Sequence, residues 1–272
     1  MQALLNNPAI QAGIAPFLAA LVTALLFQRV KLSGLAIIAG FAVTIYLASD
    51  FTIEPFTAAR KIVLLGWIST ALALLLSLVQ LRRIDSLLPV LGGAAGVWTV
   101  QRIIQHQTLQ VILLWGAGCA VYVAILVWGM GKLSDKEPLR AASAASALGI
   151  GTGGSALVGA SALLGQFGLA LGFAAGAHLL IQMATNKSLP TGATFTLPLA
   201  VIAGLTGCVA VLSAQLPWYV LPVLAAIPIA SRFAPLPPWS IRMRSLLLSL
   251  ITLAFAAAAI YMTWNVAGDV PF

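Results

Sequence analysis

His178 and Gln182 are the side chains best placed to do chemistry in this sequence. They stand four residues apart inside a run, Ala141 to Met183, that is otherwise small or apolar apart from Gln166 and carries no Asp, Glu, Lys or Arg. On a helix that spacing puts both on one face. A polar group at membrane depth costs several kcal/mol unless it is paired, so the two must face protein or a water-filled cavity. There the imidazole can contact a ligand, exchange a proton near neutral pH, or simply hydrogen-bond to a neighbouring carbonyl or hydroxyl. Earlier in the same run lies Gly149-Ile-Gly-Thr-Gly-Gly-Ser155. Each of its four glycines weakens a helix by about 1 kcal/mol relative to alanine. The segment is therefore expected to interrupt a helix, and unwound backbone at that depth forms binding sites in several transporter folds. Gly151, Thr152, Gly153, Ser155, His178 and Gln182 make up the candidate substrate-binding set. The competing reading is plain close packing, with Gly168, Gly172 and Gly176 as the facing small-residue stripe.

The rest of the chemistry is defined by absence. The six carboxylates, Asp50, Glu54, Asp85, Asp135, Glu137 and Asp269, all fall between apolar runs or in the tail. Proton and sodium relays usually need an ionisable group inside the membrane, and no carboxylate supplies one. Asp135 and Glu137 sit among Lys132, Lys136 and Arg140 and read as a solvated mixed-charge loop. His106 lies in a polar link, far from the depth of His178, which the spans place about 18 Å from the outer end of its helix. A haem held by the two histidines is not expected on that basis, a quinone contact at either histidine stays open, and no cofactor or metal is expected. Cys119 and Cys208 lie in separate apolar runs with no Cys-x-x-Cys motif and no base nearby in sequence. They read as small hydrophobes, not as a disulfide framework.

Composition sets the elements that must position these groups. Of 272 residues 61% are hydrophobic and 7% charged, against about 25% charged in soluble domains. The fold class is all-α, a polytopic membrane bundle forming one transmembrane domain over 1–272, with the lipid bilayer as its main partner. The net charge of +8 does not point to nucleic acid, because the basic residues sit in short loops between apolar runs. Ten spans are expected: 9–27, 32–49, 62–81, 87–100, 108–130, two within 141–183 meeting at 164–166, then 193–212, 216–233 and 245–264. The fourth is short and interrupted by Gly92, Gly93 and Gly96. Ten spans split into halves, 1–130 and 141–272, joined by the charged loop, and five spans per half would give the opposite orientations of an inverted 5+5 pseudo-repeat.

Loop charge sets the orientation. One side collects Arg29, Lys31, Arg82, Arg83, Lys132, Lys136, Arg140, Lys187, Arg232, Arg242 and Arg244; the other has Arg60, Lys61 and Arg102. The positive-inside rule puts the first set in the cytoplasm and both termini outside, periplasmic if the membrane is a bacterial inner membrane. Trp98, Trp218 and Trp264 fall at outer span ends and Trp128 and Trp239 at inner ones, as aromatic belts require. Two function classes follow. One is a carrier or channel for a small neutral or anionic solute. The other is a non-catalytic subunit of a larger membrane complex, for example a quinone-contacting respiratory one, bound to protein partners through Gly/Ala faces. An enzyme fits least, since no acid–base set is visible.

Overall fold

The computed structural model describes residues 7–28, 32–48, 56–79, 86–134, 137–213 and 216–267, and among them every regular element is helical. We number ten α-helices: α1 Ala15–Phe27, entered through a π-helical turn Ile10–Ile14; α2 Ala36–Ala48, entered through a 3-10 turn Ser33–Leu35; α3 Ala58–Val79; α4 Leu88–Ile104; α5 Leu109–Ser134; α6 Pro138–Gly159; α7 Ala162–Thr185; α8 Gly192–Ser213; α9 Val220–Phe233; and α10 Ile241–Ala267. Seven of these segments are long and apolar enough to cross a membrane. The other three, Ser33–Ala48, Leu88–Ile104 and Val220–Phe233, are apolar but shorter, and they occupy the second, fourth and ninth expected spans.

Local chemistry sets the ends. Prolines occupy the first turns of α1, α4 and α6, where a missing N–H costs nothing. The Ser161 hydroxyl caps α7 by accepting from the Leu164 N–H at 3.3 Å. Asn186 closes α7 in the left-handed region at φ 51°, a conformation asparagine tolerates. Pro235, Pro237 and Pro238 separate α9 from α10.

Hydrogen bonds between distant segments sort into two ends of the bundle. At one, here called upper, Gln11 reaches Leu47 and Arg102 reaches Phe56. At the lower end Ser33 reaches Pro190, Arg140 reaches the 231–234 segment, and Arg242 reaches Met183. Each pairing joins residues that an alternation of helix direction places together. Six of the orienting cations, Lys132, Arg140, Lys187, Arg232, Arg242 and Arg244, are described and lie at the lower end; Arg29, Lys31, Arg82, Arg83 and Lys136 are outside the described residues, as are Asp50, Glu54, Asp85, Asp135 and Asp269.

At the centre is α6, which packs against α5, α7, α8, α9 and α10, most closely against α7 and α10. Helix α8 crosses the expected half-boundary and packs on α3, α4 and α5. A 5+5 repeat is not visible in this packing: the extensive α6–α10 contact has no counterpart of that extent between α1 and α5.

Several expectations need correction. The turn joining α6 to α7 falls at 160–161 rather than 164–166. Residues 149–155 form uninterrupted helix. The reason is packing on every side. A Cβ on Gly149 would lie 2.2 Å from the Gly172 nitrogen, one on Gly151 2.8 Å from Leu224 Cδ2, and one on Gly154 2.5 Å from Ile260 Cδ1. These glycines give up intrinsic helix propensity for backbone contact, and lipid offers their amides no competing partner. Helix α4 is also continuous through Gly92, Gly93 and Gly96; Cβ atoms on the last two would stand 3.0 and 3.2 Å from the Ala120 and Cys119 carbonyl oxygens of α5. The 131–140 loop is largely helical, with Lys132 in α5 and Arg140 in α6. Arg140 is not solvated. It is buried, pairs with Glu137, and donates through Nη1 to the carbonyls of Ser231, Arg232 (3.0 Å) and Ala234 (2.8 Å) at the end of α9. Lys61 belongs to α3 and is also buried, donating to the Trp98 carbonyl at 2.7 Å with its ammonium 4.8 Å from the Trp98 ring centre.

Candidate functional site

The six candidate residues do not come together. The contacts Gly153–Gly168 and Gly149–Gly172 set the register of α6 on α7. In that register His178 stands level with residue 143, some nine residues or about 14 Å below Thr152 along α6. Gly151 faces α9 and α10, and Gly153 is pressed against Leu169 of α7. The Thr152 and Ser155 side chains are buried with no hydrogen-bonding partner. Thr152 lies near the Tyr122 hydroxyl of α5, which likewise lacks a bond of ordinary geometry.

His178 and Gln182 do form a site, with residues that the sequence did not single out. Both are fully buried. Gln182 Nε2 lies 3.2 Å from His178 Nδ1, His178 Nε2 lies 3.4 Å from Ser33 Oγ, and Ser33 Oγ lies 2.9 Å from the Pro190 carbonyl. The donor inventory gives this chain one direction. The amide donates to Nδ1, the ring donates through Nε2–H to the serine, and the serine donates to a carbonyl that can only accept. The imidazole is thus held neutral in its Nε2–H form. Phe195 of α8 covers the ring, with centroids 4.8 Å apart. Gly34 allows the approach: a Cβ there would stand 2.4 Å from Thr194 Oγ1 and 2.7 Å from the Phe195 nitrogen. Gln182 Oε1 is buried and unpartnered. Because α7 begins at Ala162, His178 lies about 24 Å from its upper end, deeper than the expected 18 Å.

A second polar relay lies at the upper end of the same interface. Gln166 of α7 donates to Gln11 Oε1 at 3.3 Å, Gln11 Nε2 donates to the Leu47 carbonyl at 2.9 Å, and Thr44 Oγ1 donates to the Gln11 carbonyl at 2.8 Å. Gln11 sits in the π-helical turn before α1, where wider bonding leaves backbone groups for other partners. Both relays run from α7 to the α1–α2 hairpin and end on backbone carbonyls. Gln166, Ala170, Ala174, His178 and Gln182 follow one another at four-residue steps along an inclined ridge that turns about 120° around α7 from Gln166 to His178. Between them the interface is apolar and closely packed. Phe41 and Phe167 meet edge-on at 5.3 Å, and a Cβ on Gly40 would lie 2.8 Å from Ala174 Cβ and 2.9 Å from the Pro16 carbonyl.

Gln11, Ser33, Thr44 and Gln166 were missed because each stands near a helix end, where polar residues are unremarkable. Only the four-residue step back from His178 to Gln166 could have signalled the last. The structure also brings Cys119 of α5 beside Cys208 of α8, with the Cys208 thiol 3.9 Å from the Cys119 carbonyl and the two thiols in direct interaction. Two cavities lie elsewhere, on the sides of the bundle: one of about 440 Å³ between α5 and α9, and one of about 590 Å³ between α4 and α5. Among the described residues no cluster of three or more His, Cys, Asp or Glu side chains could hold a metal ion.

Fold and site together define an all-helical protein whose seven long apolar helices fit a membrane-embedded bundle. Comparison with protein families, with characterised proteins and with solved structures finds no match to this chain.

Proposed function

We propose that this chain is a carrier for a small, neutral, hydrogen-bonding solute that passes between α7 and the α1–α2 hairpin. The observation that carries the reading is the pair of buried polar relays between α7 and the α1–α2 hairpin, twelve residues or about 18 Å apart along α7, separated by the Phe41–Phe167 contact. A bundle held by packing alone has no need of amides and imidazole at those depths, where each costs several kcal/mol if unpaired. Gln182 Oε1 is a spare acceptor at the lower relay, available to a solute hydroxyl or N–H. Among the described residues no Asp, Glu, Lys or Arg side chain bonds to His178 or Gln182 in the lower relay, which favours a neutral solute over an anion and downhill movement over ion coupling. The aromatic pair would then be the barrier, and the structure an occluded state. In this reading the ten helices are ten spans with the lower end cytoplasmic.

The test is uptake into proteoliposomes of labelled polyols and amides, with acetate and phosphate as anions, by wild type, Gln182→Leu and Ser188→Ala. Wild type and Ser188→Ala, an exposed loop change, should take up a neutral solute, and Gln182→Leu should not. Equal uptake by all three would refute the site. A second reading, a non-catalytic subunit of a membrane complex, is favoured by the backbone contact of α6 and α7, which leaves no cavity at Gly151, Gly153 or Gly172. Stable co-purification with other membrane chains, with no uptake of any solute, would select it.

A further inference from the structure

The cavity between α5 and α9 reaches one member of the thiol pair, Cys119, with Cys208 buried behind it. Its lining is otherwise apolar and includes Trp115, Gly118, Tyr122, Trp218 and Leu221 as well as Cys119 itself. Gly204 and Gly207 of α8 let α8 approach α5 closely here; Cβ atoms on them would meet Val123 Cγ2 at 3.2 Å and the Tyr122 hydroxyl at 3.1 Å. That approach is what brings Cys208 to Cys119. Both cysteines are buried and reduced. The Tyr122 ring lines the cavity, while its hydroxyl is buried behind it toward Gly207 and Thr152.

We propose that Cys119 and Cys208 are a redox pair, oxidised to a disulfide by a lipophilic quinone seated in the α5–α9 cavity. The chemistry balances as a two-electron exchange. Two S–H bonds break and one S–S bond forms; both electrons and both protons pass to the quinone oxygens, giving a quinol. The pair suits this exchange because dithiol and disulfide are both uncharged, so neither leaves a net charge at membrane depth. The cavity suits a quinone because its walls are apolar and aromatic, with the Trp115, Tyr122 and Trp218 rings to pack on a quinone ring, and because Cys119 lies in its wall. The disulfide would tie α5 to α8, across the two halves of the chain.

The test uses the full chain in proteoliposomes, reduced and kept anaerobic, with decylubiquinone as probe. Free thiols are counted by maleimide labelling after denaturation, and quinol is followed by absorbance. Wild type should lose both thiols and form one quinol per chain, while Cys119→Ser and Cys208→Ser should keep their remaining thiol and form none. Gly118→Leu should fill the cavity, since a Cβ there meets nothing within 4 Å, and should slow oxidation by the quinone at least tenfold while leaving oxidation by diamide unchanged. Two thiols surviving both oxidants in wild type would overturn the redox pair. Oxidation by diamide but not by the quinone, or no effect of Gly118→Leu, would overturn the quinone site.

Discussion

Replacing Gly172 by alanine should destabilise the protein, whereas the same change one turn later, at Gly176, should not. A Cβ on Gly172 would stand 2.6 Å from the Ile150 nitrogen and 2.8 Å from Ile150 Cγ1. Carbon and nitrogen in ordinary contact keep about 3.5 Å, so α7 would have to withdraw from α6 by nearly 1 Å. Withdrawal also loosens the Gly168–Gly153 contact, where the corresponding gap is 2.4 Å. Overpacking of this kind costs about 1–3 kcal/mol. A Cβ on Gly176 instead meets Ser146 Oγ at 3.5 Å, an ordinary contact, and alanine adds up to about 1 kcal/mol of helix propensity. That propensity gain comes at either position and cancels, so the two variants should differ by about 1–3 kcal/mol, the overpacking cost alone, although sequence alone puts both residues in one small-residue stripe. The assay is reversible unfolding in mixed detergent micelles, reading the denaturant midpoint at unchanged slope. Equal midpoints for the two variants would refute the register of α6 on α7 and the depth assigned to His178 with it.

Other outcomes follow from the same geometry. Arg140→Met should strand the carbonyls that close α9 and lower stability by at least the roughly 1.5–3 kcal/mol of one charge-assisted bond, measured in the same unfolding assay; Arg140→Lys, which keeps the charge without the fork, should recover only part of it. His178→Leu removes the middle of the lower relay and leaves Ser33 and Gln182 facing an apolar group, a loss of about 1–3 kcal/mol; a Ser33→Ala, His178→Leu double variant should cost less than the two single changes added, and strict additivity would mean that Ser33 and His178 do not interact. For orientation, single cysteines at Ser188 and Ser240 should resist a membrane-impermeant thiol reagent in intact cells while one at Gln107 reacts; the reverse pattern would turn the bundle over.

The helices were legible because hydrophobic run length is a one-dimensional signal. All ten expected spans coincide with helices, to within a few residues at most ends. What sequence could not supply was the direction in which each glycine faces. The Gly149–Ser155 segment looks like a break because helix propensity is set by the residue itself, whereas the contacts that hold it helical come from Gly172, Leu224, Ala256 and Ile260, between 23 and 106 residues away. The candidate site failed in the same way. Gly151 and Gly153 face different helices, and His178 faces α2 and the 190–195 segment rather than Thr152. Cys119 and Cys208, 89 residues apart, carried no motif at all, and only the α5–α8 contact makes them neighbours.

The Arg140 clasp has a consequence for synthesis. Its acceptors lie 91 to 94 residues downstream, so a chain elongating at about 5–20 residues per second makes the arginine roughly 5–20 s before it makes them. For that interval the guanidinium has Glu137 beside it and must otherwise stay with water. This holds the start of α6 at the aqueous boundary while α6 and α7 enter the bilayer as a hairpin. The hairpin cannot sink past its own arginine, and the depth of everything on α7, His178 included, is set before α9 exists.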